Sequence, residues 1–275
     1  MKKLIHAVTA AFLICVFIAL PACNTTSSST SSRSALWEQE MGAIADVSEN
    51  PEQANKELNL KVDLIKKGKY GRRLNRKLEP RYITIHSTQN YTGDAYAHAK
   101  ALKRGALRGG VCGYLCWHFT VQDDAVIQHI PTDERGEHAD FDGPGNSYSI
   151  GIEMCEHKGN NQLATMDRTA KLAASLMYHH QIPIDNIRAH YHWPRPGYEK
   201  PNKNCPHFLM ENGQPGGTWR WFVGRINRHH QKLVKYDAEI REQQEKKKEE
   251  ERRQRMVQQF IDRIGNRVSQ WVGFS

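Results

Sequence analysis

The chain predicts an α/β fold, with a mixed central β-sheet flanked by helices and a charged C-terminal helix beyond it. Three observations carry this reading. Short β-branched and aromatic runs at 81–85, 117–122, 125–130 and 148–154 are interleaved with helix-compatible stretches at 95–104 and 165–180. That order fits a layered α/β unit better than an all-helical or all-β one. Beyond Trp219 the composition turns almost wholly helical, with dense alternating charge.

The elements follow in order. Residues 1–22 read as an export signal: Lys2 and Lys3 precede a 17-residue apolar run, Leu4 to Leu20. Leu20-Pro21-Ala22-Cys23 resembles the site at which bacterial lipoproteins are cleaved and acylated. A run of that length also lies at the short edge of a membrane-spanning helix. Cys23 and the polar run behind it favour the lipoprotein. Residues 23–36 are a Ser/Thr-rich tether, and 37–61 form a helical N-terminal extension. A folded domain is expected over 62–227. Within it, a charged, glycine-containing loop at 66–76 leads to a strand at 81–85, which leaves His86 at its end.

Residues 95–104 are helical, and 105–113, with four glycines, form a loop. The runs on either side of Asp123-Asp124 make a β-hairpin. The nearly continuous apolar character of 148–154 implies burial on both faces. Leu172, Ala173, Leu176 and Met177 share one helical face. In the tail, 228–275, Lys232 to Arg255 reads as a solvated helix. Met256, Phe260, Ile264, Val268 and Trp271 then recur every three or four residues. That stripe either packs on the domain or on another copy, or docks on a membrane surface beside Arg263 and Arg267.

The formal charge is +9, or +7 once Lys2 and Lys3 leave with the signal. A basic surface suits an anionic polymer or a membrane. Export argues against nucleic acid as the everyday partner. Of six cysteines, Cys15 would leave with the signal and Cys23 would carry lipid. For the others a disulfide of Cys116 with Cys155 or Cys112 is chemically permitted outside the cytoplasm. A Cys112/Cys116 metal site and plain buried thiols stand beside it as alternatives.

Seven segments, in order, then carry a resemblance: Tyr82-Ile-Thr-Ile-His-Ser-Thr-Gln-Asn90, Trp117-His-Phe-Thr-Val121, Gln128-His-Ile-Pro131, Glu137-His-Ala139, Gly145-Asn146, Ser149-Ile-Gly-Ile-Glu153 and Asn204-Cys-Pro-His-Phe208. Together the region from about Val62 to Arg225 resembles the type 2 N-acetylmuramoyl-L-alanine amidases, zinc enzymes of the cell wall related to peptidoglycan-recognition proteins. The lysin-like branch is the nearest in pattern. Two departures stand out. Glu137 occupies a place where the family often has Trp, and the connection from His190 to Cys205 is long and carries Pro194, Pro196 and Pro201.

The resemblance implies a Zn2+ site held by His86, His190 and Cys205. Two imidazoles and a thiolate suit zinc, and three protein ligands leave the open position of a catalytic site. With 14 histidines in the chain, residue type alone would not select them. His192 competes with His190, and the place after Ile187-Arg-Ala189 decides for His190. The resemblance further implies Glu153 as general base, Lys203 as stabiliser of the oxyanion, and His138 and Asn146 as substrate contacts. His118 is expected under the sheet or in a supporting hydrogen bond.

The activity so implied is hydrolysis of the bond between N-acetylmuramic acid and L-alanine in peptidoglycan, by an exported, membrane-anchored lipoprotein. In a host with two membranes it would sit in the outer membrane or periplasm. The alternative is a non-catalytic lipoprotein that binds muropeptides. Cys205 separates the two, because family members that only bind commonly lack it. The implied partners are peptidoglycan or muropeptides and a membrane, reached through Cys23, with the C-terminal helix as a second candidate contact, and no nucleic acid.

Overall fold

The computed structural model describes residues 51–109, 113–195 and 197–272. The expectations for the leader, the tether, Cys15, Cys23 and Cys112 lie outside the described residues. Helix α1 (Pro51–Leu58) and strand β1 (Leu60–Val62) come first. Then follow β2 (Tyr82–Ser87), α2 (Ala95–Lys103), β3 (Phe119–Val121), β4 (Val126–Gln128), α3 (Pro144–Ser147) and β5 (Ser149–Met154). Helix α4 (Gln162–His180), β6 (Ile187–Ala189), a small ribbon of β7 (Met210–Glu211) with β8 (Gln214–Pro215), and α5 (Gly217–Val272) complete the order.

Six strands form one sheet in the order β1-β4-β3-β5-β2-β6. Only the β3–β4 hairpin is antiparallel; the other pairs are parallel. The sheet is therefore mixed, as expected. The domain starts earlier than the expected boundary at 62. Strand β1 is part of the sheet, Leu58 of α1 is buried in the main core, and α1 packs on α4.

Alternation along the strands assigns each face its task. Ile83 and Ile85 of β2, with Ile150, Ile152 and Met154 of β5, point into the core shared with Leu172, Ala173, Leu176 and Met177 of α4. Trp219, Phe222 and Ile226 of α5 close the same core, and α5 runs along α4. Each of the isoleucine, methionine and phenylalanine side chains among these, buried in full, contributes roughly 1.5–3 kcal/mol. On β4, Val126 joins this core, whereas its neighbour Ile127 joins Ala95 and Ala99 of α2. Helices thus cover both faces.

Strand β5 is buried on both faces, as expected, but not because both are apolar. Its second face carries Ser149, Gly151 and Glu153, which lie beside Thr84 and His86 of β2 in the parallel register Thr84↔Gly151 and His86↔Glu153. Burying that polar face demands partners or a task. Cys116 and Cys155 are buried free thiols in two separate clusters, so no disulfide joins them.

Candidate metal centre

Three parallel strands, β5, β2 and β6, deliver the site at their C-terminal ends, where open α/β sheets commonly bind ligands. Glu153 and His86 lie late in β5 and β2, and His190 follows directly on β6. Cys205 arrives on a loop stitched to the end of β2. The Ser87 amide donates to Cys205 Sγ at 3.4 Å, Gln89 Nε2 donates to the Asn204 carbonyl at 3.1 Å, and the His207 amide donates to Ser87 Oγ at 3.2 Å. One donor atom from each of His86, His190 and Cys205 falls within 4.8 Å of the others, and all three residues are buried.

Hydrogen bonds decide which nitrogen faces the centre. The Ser149 carbonyl can only accept, so His138 Nε2, at 3.2 Å, carries the proton. His138 Nδ1 is then a lone pair that accepts from His86 Nε2 at 3.1 Å, and His86 Nδ1 is left bare. The Ala139 carbonyl does the same for His190 by accepting from Nε2 at 3.2 Å, which bares Nδ1. The two bare Nδ1 atoms face each other at 2.9 Å, with Cys205 Sγ 3.9 Å from His86 Nδ1. Two lone pairs at that distance repel unless a proton or a cation lies between them.

A proton is a poor solution. Burial pushes both imidazoles well below the ordinary histidine range, and each is depressed further by its neighbours: His190, His138 and Lys203 act on His86, and Lys203, His138 and Arg195 on His190. A soft cation suits the donor set. The thiol responds in the same sense. Burial, with Glu153 beside it, pushes Cys205 up to about 12. Deprotonating it requires positive charge nearby, which a coordinated metal supplies.

Glu153 stands beside the cage, with Oε1 3.9 Å from His86 Nδ1. Its Oε2 is buried and has no hydrogen-bond partner. Burial pushes this carboxyl up to about 8, against a downward pull from Lys203 and a further push from Glu156. Both Glu153 and Lys203 line a cavity of about 220 Å³ together with His190, His138, Trp117 and Arg195.

The expected residues therefore converge, with two exceptions in role. His138 lines the back of the cavity, yet both its ring nitrogens are engaged within the protein, so it orients His86 where a substrate contact was expected. Asn146 is buried, and its four hydrogen-bonding positions are filled. Its Oδ1 accepts from the His138 and Ala139 amides, and its Nδ2 donates to Glu137 and the Phe141 carbonyl. It braces the loop that carries His138 and lines the cavity with its hydrogen-bonding positions already filled. The departure at Glu137 fits this picture, because that carboxylate is paired with Arg76 as well as with Asn146.

His118 is fully buried; its Nε2 donates to the Glu134 carbonyl and its Nδ1 accepts from the Gly151 amide. His192 is turned away, accepting the Ala189 amide at 3.0 Å and lying against Trp219.

Two features had no signal in residue type. Gly151 is needed because a Cβ there would lie 2.8 Å from three ring atoms of His138. At the cavity mouth, the Arg195 guanidinium lies 4.2 Å over the Tyr198 ring, which stacks on Phe141, and Arg195 Nε is buried without a partner. The proline-rich connection from His190 to Cys205 was the available hint for this rim.

Comparison with known proteins agrees with the geometry. Residues 76–208 match the family described as N-acetylmuramoyl-L-alanine amidase. The chain is 36% identical over 152 residues to the N-acetylmuramoyl-L-alanine amidase XlyA of Bacillus subtilis, covering 54% of this chain and 45% of that protein. Against CwlH, an amidase of the same organism, identity is 33% over 154 residues, covering 54% of each. The solved catalytic domain of XlyA superposes with a TM-score of 0.50 at 33% identity, covering 61% of this chain and 99% of that domain. The chain thus spans about half the length of the curated relatives it matches.

Proposed function

Because the chain belongs, through residues 76–208, to the N-acetylmuramoyl-L-alanine amidase family, we propose that it hydrolyses the amide bond between N-acetylmuramic acid and L-alanine in peptidoglycan, with zinc held by His86, His190 and Cys205. The observation that carries this is the pair of bare Nδ1 atoms facing each other beside a buried thiol and an unpartnered carboxylate oxygen. When bound, zinc would polarise the amide carbonyl and acidify a water molecule.

The chain's own residues do the rest. Glu153, with Oε1 3.9 Å from His86 Nδ1, takes a proton from the attacking water and passes it to the departing amine nitrogen. Catalysis of this kind contributes about 10²–10⁴-fold. Lys203 offers an ammonium to the charge that gathers on the carbonyl oxygen. Arg195, Tyr198 and Phe141 present a cationic and aromatic rim to a glycan carrying an acidic peptide.

The presence of Cys205 among the converging donors favours catalysis over mere recognition of muropeptides. Purified protein should hold one zinc per chain and release new N-terminal alanine from cell-wall sacculi, as read by mass spectrometry. Cys205→Ala should lose metal and release together; a variant that kept full activity would overturn the ligand set.

We also propose that the enzyme works outside the cytoplasm, in membrane-anchored form, with lipid on Cys23. The apolar run, Cys23 and the Ser/Thr tether support this. Cys23→Ala should move the protein from the membrane fraction to the soluble one, and retention in membranes would sink the anchor.

A further inference from the structure

Helix α5 changes character along its length. As far as Ile240 it keeps one side against the domain, and from Arg241 every described side chain is exposed. The exposed stretch begins as a strut. Arg241, paired with Asp237 at 2.7 Å, makes the last contact with Tyr178 of α4, and beyond it a pair one turn apart, Lys246 with Glu242 at 2.5 Å, supports the exposed helix. From Ile240 to Met256 the strut advances about 24 Å, at 1.5 Å per residue.

Beyond the strut lies an apolar face. Met256, Val257, Phe260, Ile261, Ile264, Val268 and Trp271 are 47–88% exposed, with Trp271 the most open. At 100° per residue they occupy one side of the helix, with Arg263 just outside its Met256 edge and Arg267 just inside that edge. Residues 252–272 carry five arginines against one aspartate. The expectation that this stripe packs on the domain is not met: no side chain of the described domain covers it.

We propose that this tip docks on the surface of an anionic phospholipid bilayer, with the apolar face among the acyl chains and the arginines at the headgroups. Three observations favour lipid over a second copy. The coiled-coil seam Val257, Ile261, Ile264, Val268, Trp271 covers only about two heptads, fewer than the three or four a coiled coil usually sustains. Met256 and Phe260 lie outside that seam, so a two-stranded pairing would leave them in water. A second copy would also bring together two net-positive segments, where an anionic surface complements them. No helix among the described residues is long and apolar enough to cross a membrane, so the tip lies on the surface. The strut then holds the metal centre at a stand-off from the bilayer. This inference does not depend on the proposed hydrolysis.

The test is local hydrogen exchange in the full chain, so that other membrane contacts do not confuse the reading. With vesicles of phosphatidylglycerol and phosphatidylcholine, amides of 256–272 should exchange about tenfold more slowly or better. Pure phosphatidylcholine should give little protection, and Phe260→Glu with Ile264→Glu should abolish the effect while leaving zinc content unchanged. Three results would each overturn the proposal: no protection on anionic vesicles, equal protection on neutral ones, or protection without vesicles that grows with protein concentration. The last would identify a second copy as the occupant.

Discussion

Two buried polar clusters in this domain are built from similar residues and differ in one respect. Around Asp167 on α4, every charge is answered. Arg225 donates twice to Oδ1, at 2.9 and 2.7 Å, His229 donates at 3.0 Å, and Lys171 meets Oδ2 at 3.0 Å. Burial alone would raise the Asp167 carboxyl, but the His229 hydrogen bond and the charges of His229, Lys171 and Arg225 hold it well below the usual carboxylate range. Around His86 the opposite holds: two lone pairs face each other and a carboxylate oxygen has no partner. A saturated cluster fastens α5 to α4. An unsaturated one is stabilised by something added, and that marks it as a site.

The comparison can be broken in four places. The largest effect is expected at Glu153→Gln, which keeps the shape and removes the base. Zinc content should stay at one per chain while turnover on sacculi falls about 10²–10⁴-fold. Undiminished turnover would remove Glu153 from the chemistry.

Asp167→Ala should do the reverse, leaving zinc binding intact in the folded protein. It strands Arg225 in the interior, so denaturant unfolding should show a loss of about 3–5 kcal/mol. A loss below about 1 kcal/mol would show that this cluster is not what fastens α5.

Gly151→Ala reaches the site through its support. The added Cβ drives into the His138 ring, which should cost about 1–3 kcal/mol in stability. It should also weaken zinc by roughly 10–100-fold in a chelator competition, because His138 sets the tautomer of His86. Unchanged zinc affinity would break the proposed relay through His138.

The smallest effect per group is with pH. Burial pushes His118 and His129 down to about 3, below the ordinary value of 6.5. Between these values the unfolded chain binds protons that the folded one refuses, so stability is full above about pH 6.5 and is lost as pH falls towards 3. From pH 7 to 5.5 the loss should be about 1 kcal/mol for each such imidazole, measurable by urea unfolding of the metal-free protein. A flat profile would contradict their neutral burial.

Much of this was legible beforehand, for local reasons. The run 82–85, the hairpin around Asp123-Asp124 and the helix with Leu172, Ala173, Leu176 and Met177 announce themselves by period and by turn residues. Strand β5 was located but its faces were misjudged. Two isoleucines flanking Gly151 look continuously apolar, and only pairing with β2 shows that Ser149, Gly151 and Glu153 share a polar side. Asn146 and His138 were named as residues that matter, and their task lay in partners such as the Ser149 and Ala139 backbone, which sequence pattern does not display.

What the sequence determined by itself is the set of local properties: where strands and helices form, which residue types can bind a soft metal, and that a charged helix ends in an apolar stripe. What only the tertiary structure decided is convergence. His86 meets Glu153 because β2 and β5 pair in one parallel register, and His190 is preferred over His192 because one turn points at the cage and the next points at Trp219. Whether the final stripe of α5 found a partner was likewise a question of distance. Period and charge are written residue by residue, whereas contact between segments distant along the chain depends on how the whole core closes.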